Sequence, residues 1–338
     1  MITKLTTKRV TISDIAKQAG VSKGAAAKVL SGSLSNNIRV GSAKATIIRD
    51  IAAKLNYQPN FNARSLAGSS SKVLGILIDS EAPITVFRTL AGIEKQAAAH
   101  GYRIMTGESH NNADNLIANY QNFQQYGIDG IIVLSYEYPE AQDKISSFFQ
   151  WSANTVFLGN PPVPNASCVR IERESAVAEA VKLLYSRGRR TLGMVIGDDQ
   201  YPSTIQRISG GRKAGCELLF RVPLGDIRQN VIRTIEDFII PQHIDGVIMP
   251  EDLYVTALFR ELPHYGLRVP KDLSVIGNGN DTFAPFMMPA LTTIDENSDV
   301  QATQAVKLLV SMLEDRENGD EMAKQVTVRT KLVVRESA

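Results

Sequence analysis

The chain has 338 residues, 43% of them apolar, which is enough for a substantial core and for more than one domain. It contains no run of 18 apolar residues, and no apolar signal core follows its basic N-terminus, so neither membrane insertion nor export is expected. The two cysteines, Cys168 and Cys216, are isolated in sequence, which is typical of buried thiols in a reducing cytoplasm.

The net charge of +2 conceals a strong asymmetry on either side of Lys72. Residues 1–72 contain 12 lysines and arginines but only Asp14 and Asp50, a balance of +10. The remaining residues contain 25 basic and 33 acidic side chains, a balance of −8. A basic segment ahead of an acidic body favours a phosphate-bearing partner at the N-terminal end. A solvated basic surface is the alternative that charge alone leaves open.

The first predicted elements are two short helices joined by a glycine turn. Thr11 is a helix-capping residue, and the helix that it opens is predicted to end at Ala19, because Gly20 follows. Ser22 is predicted to cap a second helix over Lys23–Leu30. This arrangement is typical of a helix-turn-helix.

A third helix, predicted to be capped by Ser42 and to end before Tyr57, completes a three-helix head. A generic three-helix bundle is the alternative, but the basic excess favours DNA binding. In a helix-turn-helix the second helix enters the major groove, which would bring Lys23, Gly24 and Lys28 to bases or phosphates. The residues predicted to form the core of the head are Ile12, Ile15, Val21, Val29, Leu30, Ile47, Ile48, Ile51 and Leu55.

Four segments of the head resemble the lactose-repressor family, and the resemblance extends over nearly the whole chain. They are Val10–Ala16, Gly20–Ser22, Lys28–Gly32 and Tyr57–Asn60. The family usually has Thr-Val-Ser-Arg where this chain has Ala25-Ala26-Ala27-Lys28, so the operator preference of a relative does not carry over. Helix geometry and the resemblance together imply a set of DNA-contacting residues: Thr11, Ser22, Lys23, Gly24, Lys28, Asn60, Ala63 and Leu66.

The segment Asn60–Gly68 is long enough for about two helical turns, which is marginal for an isolated helix. The resemblance implies a hinge helix that folds on DNA and inserts Leu66 into the minor groove. Packing of Leu66 on the body as a linker residue is the alternative. The predicted domains are therefore a head over 1–59, a hinge and linker over 60–72, and a body over 73–338.

From Val73 onward, apolar strand-like runs alternate with amphipathic helices, which predicts parallel α/β sheets. The number of strands favours two doubly wound lobes, and the body resembles type I periplasmic binding proteins. The stretch between residues 215 and 245 is shorter than in most relatives, so an edge strand of the second lobe is predicted to be reduced. The predicted strands are 73–79, 103–106, 129–134, 155–158, 191–196, 245–249 and 273–276, and the predicted helices are 90–100, 116–126, 176–187 and 300–314.

Doubly wound sheets bind ligands beyond the carboxyl ends of their strands, so a shared cleft between the lobes is expected. The resemblance implies that Arg207 grips a sugar or an anion there. Glu251 stands where the family often has asparagine, and Gly279 stands where it has an acid. A surface ion pair between Arg207 and Glu251 is the alternative. The candidate effector-binding residues are Ser80, Tyr201, Arg207, Glu251, Gly279 and Asn280.

The sequence thus predicts a cytoplasmic, homodimeric transcription regulator, a repressor, that binds double-stranded operator DNA. Its effector is expected to be a small polar metabolite, a sugar or sugar derivative; no cofactor, metal or membrane is expected. An enzyme is one rival, but the chain has no phosphate-binding loop, no dinucleotide fingerprint and no nucleophile elbow. A transport-type binding protein is the other rival, and the basic head argues against it.

Overall fold

The computed structural model describes residues 10–31, 39–57, 70–197, 200–223, 225–316 and 323–338. The chain divides into two compact units, Met1–Ser71 and Lys72–Ala338, here called the head and the body. The predicted hinge residues Asn60, Ala63 and Leu66 lie outside the described residues.

The head begins with helices α1 (Ile12–Ala19) and α2 (Lys23–Ser31), as predicted. Asp14 N–H donates to Thr11 Oγ1 at 3.3 Å and Thr11 N–H donates to Asp14 Oδ2 at 2.9 Å, so each residue satisfies a free amide of the other. Gly20 ends α1 with a φ of 62°, a left-handed conformation that suits glycine. Ala25 N–H donates to Ser22 Oγ at 3.2 Å, which confirms Ser22 as the cap of α2.

Helix α3 (Ser42–Lys54) corrects two details of the prediction. Ser42 is the first helical residue rather than the cap, and Gly41 occupies the cap position without a side-chain hydrogen bond. Ile48 is fully buried, whereas Ile47 is 49% exposed, because consecutive helical residues point about 100° apart and only one face of α3 meets α1 and α2. The other predicted core residues are buried or partly buried: Ile12, Ile15, Val21, Val29, Leu30, Ile51 and Leu55.

The first lobe of the body, the N lobe, is built on an all-parallel sheet of six strands. The strand order is β11-β5-β4-β3-β1-β2, so the first strand lies near one edge and a strand from the end of the chain forms the other edge. Its strands are β1 (Val73–Ile78), β2 (Arg103–Glu108), β3 (Gly130–Val133), β4 (Thr155–Leu158), β5 (Ser167–Glu172) and β11 (Gln325–Arg329), and its helices are α4 (Ile84–Ala99), α5 (Ala113–Gln125), α6 (Gln142–Phe149) and α11 (Ser298–Arg316).

The second lobe, the C lobe, has a six-stranded sheet in the order β12-β10-β9-β8-β6-β7, in which only β12 runs antiparallel. The four-residue strand β7 forms one edge, so the stretch between residues 215 and 245 retains a short edge strand. The strands are β6 (Leu192–Ile196), β7 (Leu218–Arg221), β8 (Gly246–Ile248), β9 (Ser274–Asn278), β10 (Thr292–Asp295) and β12 (Lys331–Val333), and the helices are α7 (Glu174–Ser186), α8 (Pro202–Lys213), α9 (Ile227–Arg233, continued by a π-helix over Thr234–Ile239) and α10 (Asp252–Glu261).

Both sheets are covered by helices on their two faces, which confirms the predicted pair of doubly wound lobes. Strands β3, β4 and β6 are buried at every position, and their residues are apolar apart from Thr155 of β4. Apolar helix faces close each core. In the N lobe, α11 contributes Ala302, Ala305 and Leu309 to the same cluster as Leu74 and Ile76 of β1.

The chain passes between the lobes three times, after β5, after β10 and after β11. The three passages are tied to one another by hydrogen bonds. Thr330 N–H donates to the Glu172 carbonyl at 3.0 Å, and Asn297 Nδ2 donates to the Arg329 carbonyl at 2.6 Å. We call this meeting point, formed by residues 172–174, 295–298 and 329–331, the joint.

Close packing of α8 against the start of α7 generates a stability prediction. A Cβ added at Gly210 would lie 2.5 Å from the Glu174 carbonyl oxygen, whereas a Cβ added at Gly197 meets no atom within 4 Å. Gly210→Ala should therefore lower the free energy of unfolding by about 1–3 kcal/mol, although helix propensity alone would favour alanine by about 1 kcal/mol. Urea unfolding followed by circular dichroism measures the loss. Gly197→Ala is the matched control and should change little; an equal or higher stability of Gly210→Ala would contradict this packing.

Candidate functional site

The N-lobe wall of the predicted cleft is a buried polar cluster at the carboxyl ends of β1, β2 and β3. The Asp79 carboxylate accepts hydrogen bonds from Ser109 Oγ at 2.9 Å, from Tyr138 OH at 2.8 Å and from Asn111 N–H at 2.7 Å. Burial raises the pKa of Asp79, but these hydrogen bonds outweigh it and leave the pKa below its usual value. Asp79 is thus an ionised acceptor that fixes the loops around it.

Ser80, the N-lobe residue named from the sequence, lies beside this cluster rather than in it. Its side chain is exposed, and its N–H donates to the Glu108 carboxylate. The neighbouring Asp79, Ser109 and Tyr138 carry the buried polar groups, and sequence reasoning had not singled out any of the three.

The C-lobe wall contains a second buried carboxylate, Asp252, at the start of α10. It accepts from Thr293 Oγ1 at 2.6 Å and from Asp281 N–H at 2.8 Å. Burial raises its pKa above the usual value despite these bonds. The loop after β9 is thereby held against α10.

Gly279 and Asn280, both named from the sequence, form this loop. Gly279 has a φ of 130°, where a side chain would be strained. Asn280 uses its side chain within the C lobe, because Nδ2 donates to Asp295 at 3.1 Å and Oδ1 accepts from Arg335 Nη2 at 2.7 Å.

Arg207, on α8, points into the joint rather than to the surface. Its Nη2 donates to Glu296 Oε1 at 3.1 Å, and Arg173 contacts the other oxygen of the same carboxylate at 3.0 Å. Although burial raises the pKa of Glu296, the two guanidinium groups hold it below its usual value. The partner of Arg207 is thus Glu296, so the surface ion pair with Glu251 is not present.

Arg207 Nε is buried and has no hydrogen-bond partner among the described residues. Arg207 also lines a cavity of about 10 Å³ in the C lobe, together with Thr204, Met249 and Asn278. A volume of this size holds a single water-sized group. Most of the other side chains that line this recess are apolar, among them Met194, Ile248 and Ile294.

Glu251 and Tyr201 immediately precede α10 and α8, and both side chains are half-buried. The Glu251 carboxylate does not cap α10. Burial and the charge of Asp252 raise the pKa of Glu251, and the charge of Arg207 opposes that rise. Arg207 and Glu251 thus share an environment without forming a direct ion pair.

The two lobes contact each other on both sides of the cleft. Arg88 of α4 donates from Nη1 to the carbonyls of Gly279 and Asn280 at 2.9 and 2.8 Å. Ser203 Oγ donates to Glu137 Oε2 at 3.0 Å. Together with the joint, these contacts connect the two lobes on both sides of the cleft.

In the head, Lys23 and Gly24 are exposed on the first turn of α2, and Lys28 follows about one turn later, half-buried. Thr11 and Ser22 use their hydroxyls to cap α1 and α2. The N-terminal end of α2 therefore presents backbone and two basic side chains, as recognition by a helix-turn-helix requires.

Sequence reasoning missed Arg173 and Glu296, which hold Arg207, and Arg88, which spans the lobes. Glu296 follows directly on β10, and an acid at the carboxyl end of a strand was the available signal. Within the described part of the chain, no three His, Cys, Asp or Glu side chains are grouped as metal ligands. None of the helices described there is long and apolar enough to span a membrane.

Comparison with known proteins matches two parts of the chain to families. Residues 11–60 match the bacterial regulatory proteins of the lacI family, and residues 181–338 match a periplasmic binding protein-like domain. The HTH-type transcriptional repressor PurR of Salmonella arizonae is 27% identical over 336 residues, covering 97% of this chain and 96% of that protein. PurR of Escherichia fergusonii is 26% identical with the same coverage.

Solved structures show the same fold. The Lac repressor dimer bound to operator and the anti-inducer ONPF has a TM-score of 0.84 at 20% identity, covering 98% of this chain and 99% of that one. A complex of the transcriptional regulator CelR with cellobiose has a TM-score of 0.68 at 20% identity, covering 98% and 100%. The combination of a helical head and a two-lobed α/β body is thus shared with these proteins.

The loop at Asp281 generates a pH prediction. The Asp281 carboxylate is 3% exposed. Burial and the charge of Asp252 raise the pKa of Asp281 from 3.8 to about 6, although the charge of Arg88 opposes this rise. A carboxyl whose pKa is raised by folding stabilises the protein below its unfolded pKa, and that stabilisation is lost as the pH rises to about 6. Asp281→Asn should therefore gain stability relative to wild type between pH 4 and pH 7, by at most about 3 kcal/mol.

Urea unfolding at the two pH values, followed by circular dichroism, measures this difference. Asp143→Asn, at an exposed position on α6, is the control and should differ from wild type by the same amount at both pH values. A pH-independent difference for Asp281→Asn would show that burial of the carboxyl has no such effect.

Proposed function

We propose that this protein is a transcriptional repressor whose operator binding is controlled by a small molecule, because residues 11–60 match the lacI family of bacterial regulatory proteins and residues 181–338 match a periplasmic binding protein-like domain. The curated relatives that match almost its full length are transcriptional repressors. The proposal makes the protein a regulator without catalytic activity.

The observation that carries this proposal is the capped helix pair α1–α2, which displays Lys23, Gly24 and Lys28 on a head of strongly basic composition. The capping at Thr11 and Ser22 fixes the orientation of α2, so these residues are in place to meet DNA without rearrangement. We assign Lys28 to phosphate contact. Asn60, Ala63 and Leu66 are proposed to extend the contact into the minor groove.

The effector is proposed to bind between the lobes, against Arg207, Glu251, Tyr201 and the loop of Gly279 and Asn280, with Ser80 at the rim. Two features support this site. Arg207 Nε is a buried donor without a partner among the described residues, and Arg88 of the N lobe bonds to the loop of Gly279 and Asn280 in the C lobe. A sugar or sugar derivative is proposed as the effector because the similar CelR structure contains cellobiose.

A homodimer is proposed because a single head reads only a few base pairs. The C-lobe apolar patch, which we define as Leu253, Phe286 and Met288, supports it. These side chains are 44%, 87% and 93% exposed, and the hydrogen bond from Asp281 N–H to Asp252 holds their loop and helix together. We propose that these three side chains lie together on the surface, as large exposed apolar side chains at a protein interface do.

Operator binding tests the function directly. The full-length protein should select a palindromic site from a random DNA pool, and at least one metabolite that stabilises the protein should change its affinity for that site. The absence of any selected site would contradict the function.

The salt dependence of operator binding tests the role of Lys28. Lys28→Ala should weaken operator binding and reduce the slope of log K against log salt by about one. Lys95→Ala removes the same charge from an exposed position on the body and should leave the slope unchanged. An unchanged slope for Lys28→Ala would exclude the phosphate contact.

The oligomeric state tests the C-lobe apolar patch. Phe286→Ser combined with Met288→Ser should convert the dimer into a monomer in sedimentation velocity and weaken operator binding, because two linked heads gain affinity from binding together. Trp151→Ser is the matched control, since Trp151 is 85% exposed but lies in the N lobe outside the patch. A double variant that remains dimeric would place the interface elsewhere.

A further inference from the structure

Strand β11 forms one edge of the N-lobe sheet, where only β5 pairs with it among the described strands. Cys168 N–H of β5 donates to the Lys324 carbonyl at 3.1 Å. Thr330 N–H donates to the Glu172 carbonyl of β5 at 3.0 Å. Because the direction of the backbone groups alternates along a strand, these two bonds show that the even-numbered residues of β11 bond to β5. The residues whose N–H and C=O groups point away from the sheet are therefore Gln325, Thr327 and Arg329.

This open edge borders a surface groove of about 570 Å³ between β11 and α11. Val300 of α11 is 45% exposed in the groove and Val326 of β11 is half-buried, so part of its surface is apolar. Asn297 Nδ2 occupies the outward carbonyl of Arg329 at 2.6 Å. No other described residue bonds to the outward backbone groups of β11. A peptide segment in the groove would thus meet free backbone groups beside an apolar surface.

The groove also carries a positive charge. Arg329 is the one charged side chain among the described residues that line it, and its guanidinium forms no hydrogen bond or ion pair with another described residue. Its neighbour in the strand register, Glu172, accepts instead from Ser175 N–H and Oγ at 2.9 and 2.6 Å. Asp299 of α11 faces α4. The basic residues at the two ends of β11, each paired with an aspartate, are Lys324 and Lys331.

We propose that this groove is a docking site for an acidic, extended segment of another protein, which adds to the N-lobe sheet as a strand beside β11. Free backbone groups at a sheet edge pair readily with another chain, and such pairing supplies affinity in known peptide-binding sheets. Specificity comes from the alternation of side chains along the added strand, because one of its faces meets Val300 and Val326 and the other meets Arg329. The proposal adds a protein partner and depends on neither operator binding nor the effector site.

A labelled peptide of alternating acidic and apolar residues, Glu-Val-Glu-Val-Glu-Val-Glu, is the probe. Its binding to the full-length protein is measured by fluorescence anisotropy, with the same peptide carrying lysine in place of glutamate as the control. Wild type should bind the acidic peptide saturably and about tenfold more tightly than the basic one, because Arg329 attracts one and repels the other. Added salt should reduce this difference.

Thr327→Pro tests whether the peptide pairs with the backbone of β11. The substitution removes an outward N–H and leaves the bonds to β5 in place, as proline at a sheet edge does. Binding should weaken by about tenfold or more, because one backbone hydrogen bond is lost and the ring obstructs the incoming strand. Thr327→Val retains the N–H and is the matched control, which should bind as wild type does. Thermal unfolding followed by circular dichroism checks that each variant is folded.

Arg329→Gln is the second variant, and it keeps the proposal testable if Thr327→Pro does not fold. It should weaken binding of the acidic peptide by about threefold and reduce the salt dependence. Arg103→Gln is the control, since Arg103 is exposed on β2 at the opposite edge of the same sheet, and it should leave binding unchanged.

Three results would overturn the proposal. The first is a wild-type protein that binds neither peptide or binds both equally, and the second is equal binding by Thr327→Pro and Thr327→Val. The third is a change of oligomeric state in Thr327→Pro by sedimentation velocity, which would assign the edge of β11 to a second copy of this chain. None of these measurements uses DNA, so they are independent of the test of operator binding.

Discussion

The carboxylate of Glu296 is buried where the chain passes between its two lobes, and it can be ionised there only because two guanidinium groups surround it. Removal of one partner from a buried pair costs about 3–5 kcal/mol, since the remaining charge is left without compensation. Arg173 comes from the first passage between the lobes, Glu296 from the second, and Arg207 from a helix of the C lobe. The Glu296 carboxylate therefore sets both the geometry of the joint and the position of Arg207 at the cleft.

This shared group has a mechanical implication for a regulator. A ligand shifts an equilibrium between two arrangements only by binding one of them more tightly. The Arg207 guanidinium is bonded to Glu296 in the joint, and Arg173 is bonded to the same carboxylate. A molecule that displaces the Arg207 guanidinium must therefore either break this bond or move Glu296 and Arg173 as well. The contacts of Arg88 and Ser203 also join the two lobes, so they change in any rearrangement of one lobe against the other.

The fold could be predicted from the sequence wherever local patterns are strong. Thr11, Gly20 and Ser22 carry capping and turn preferences that need no tertiary context, and β3 is a short run of apolar residues that is buried at every position. Strands β5 and β10 were not among the predicted strands because polar residues interrupt their apolar pattern, Arg170 in β5 and Thr292 and Thr293 in β10. The hydroxyls of Ser167 and Thr292 are buried where they accept hydrogen bonds from the N–H groups of Lys324 and Arg335. Ile47 and Ile48 have the same propensity, and only the packing of α3 decides which of them is buried.

The candidate site was less predictable, because its pairs are distant in sequence. Arg207 and Glu296 are 89 residues apart and Arg173 and Glu296 are 123 apart, so no local pattern connects them.

The long separation between parts of the N lobe also affects folding during translation. Strand β11 and helix α11 belong to the N lobe but are synthesised after nearly the whole C lobe, so the apolar face that Ala302, Ala305 and Leu309 later cover stays open on the nascent chain. A lobe completed so late folds slowly and exposes an edge strand, β5, while it waits, which makes assistance by chaperones most valuable during the last stage of translation.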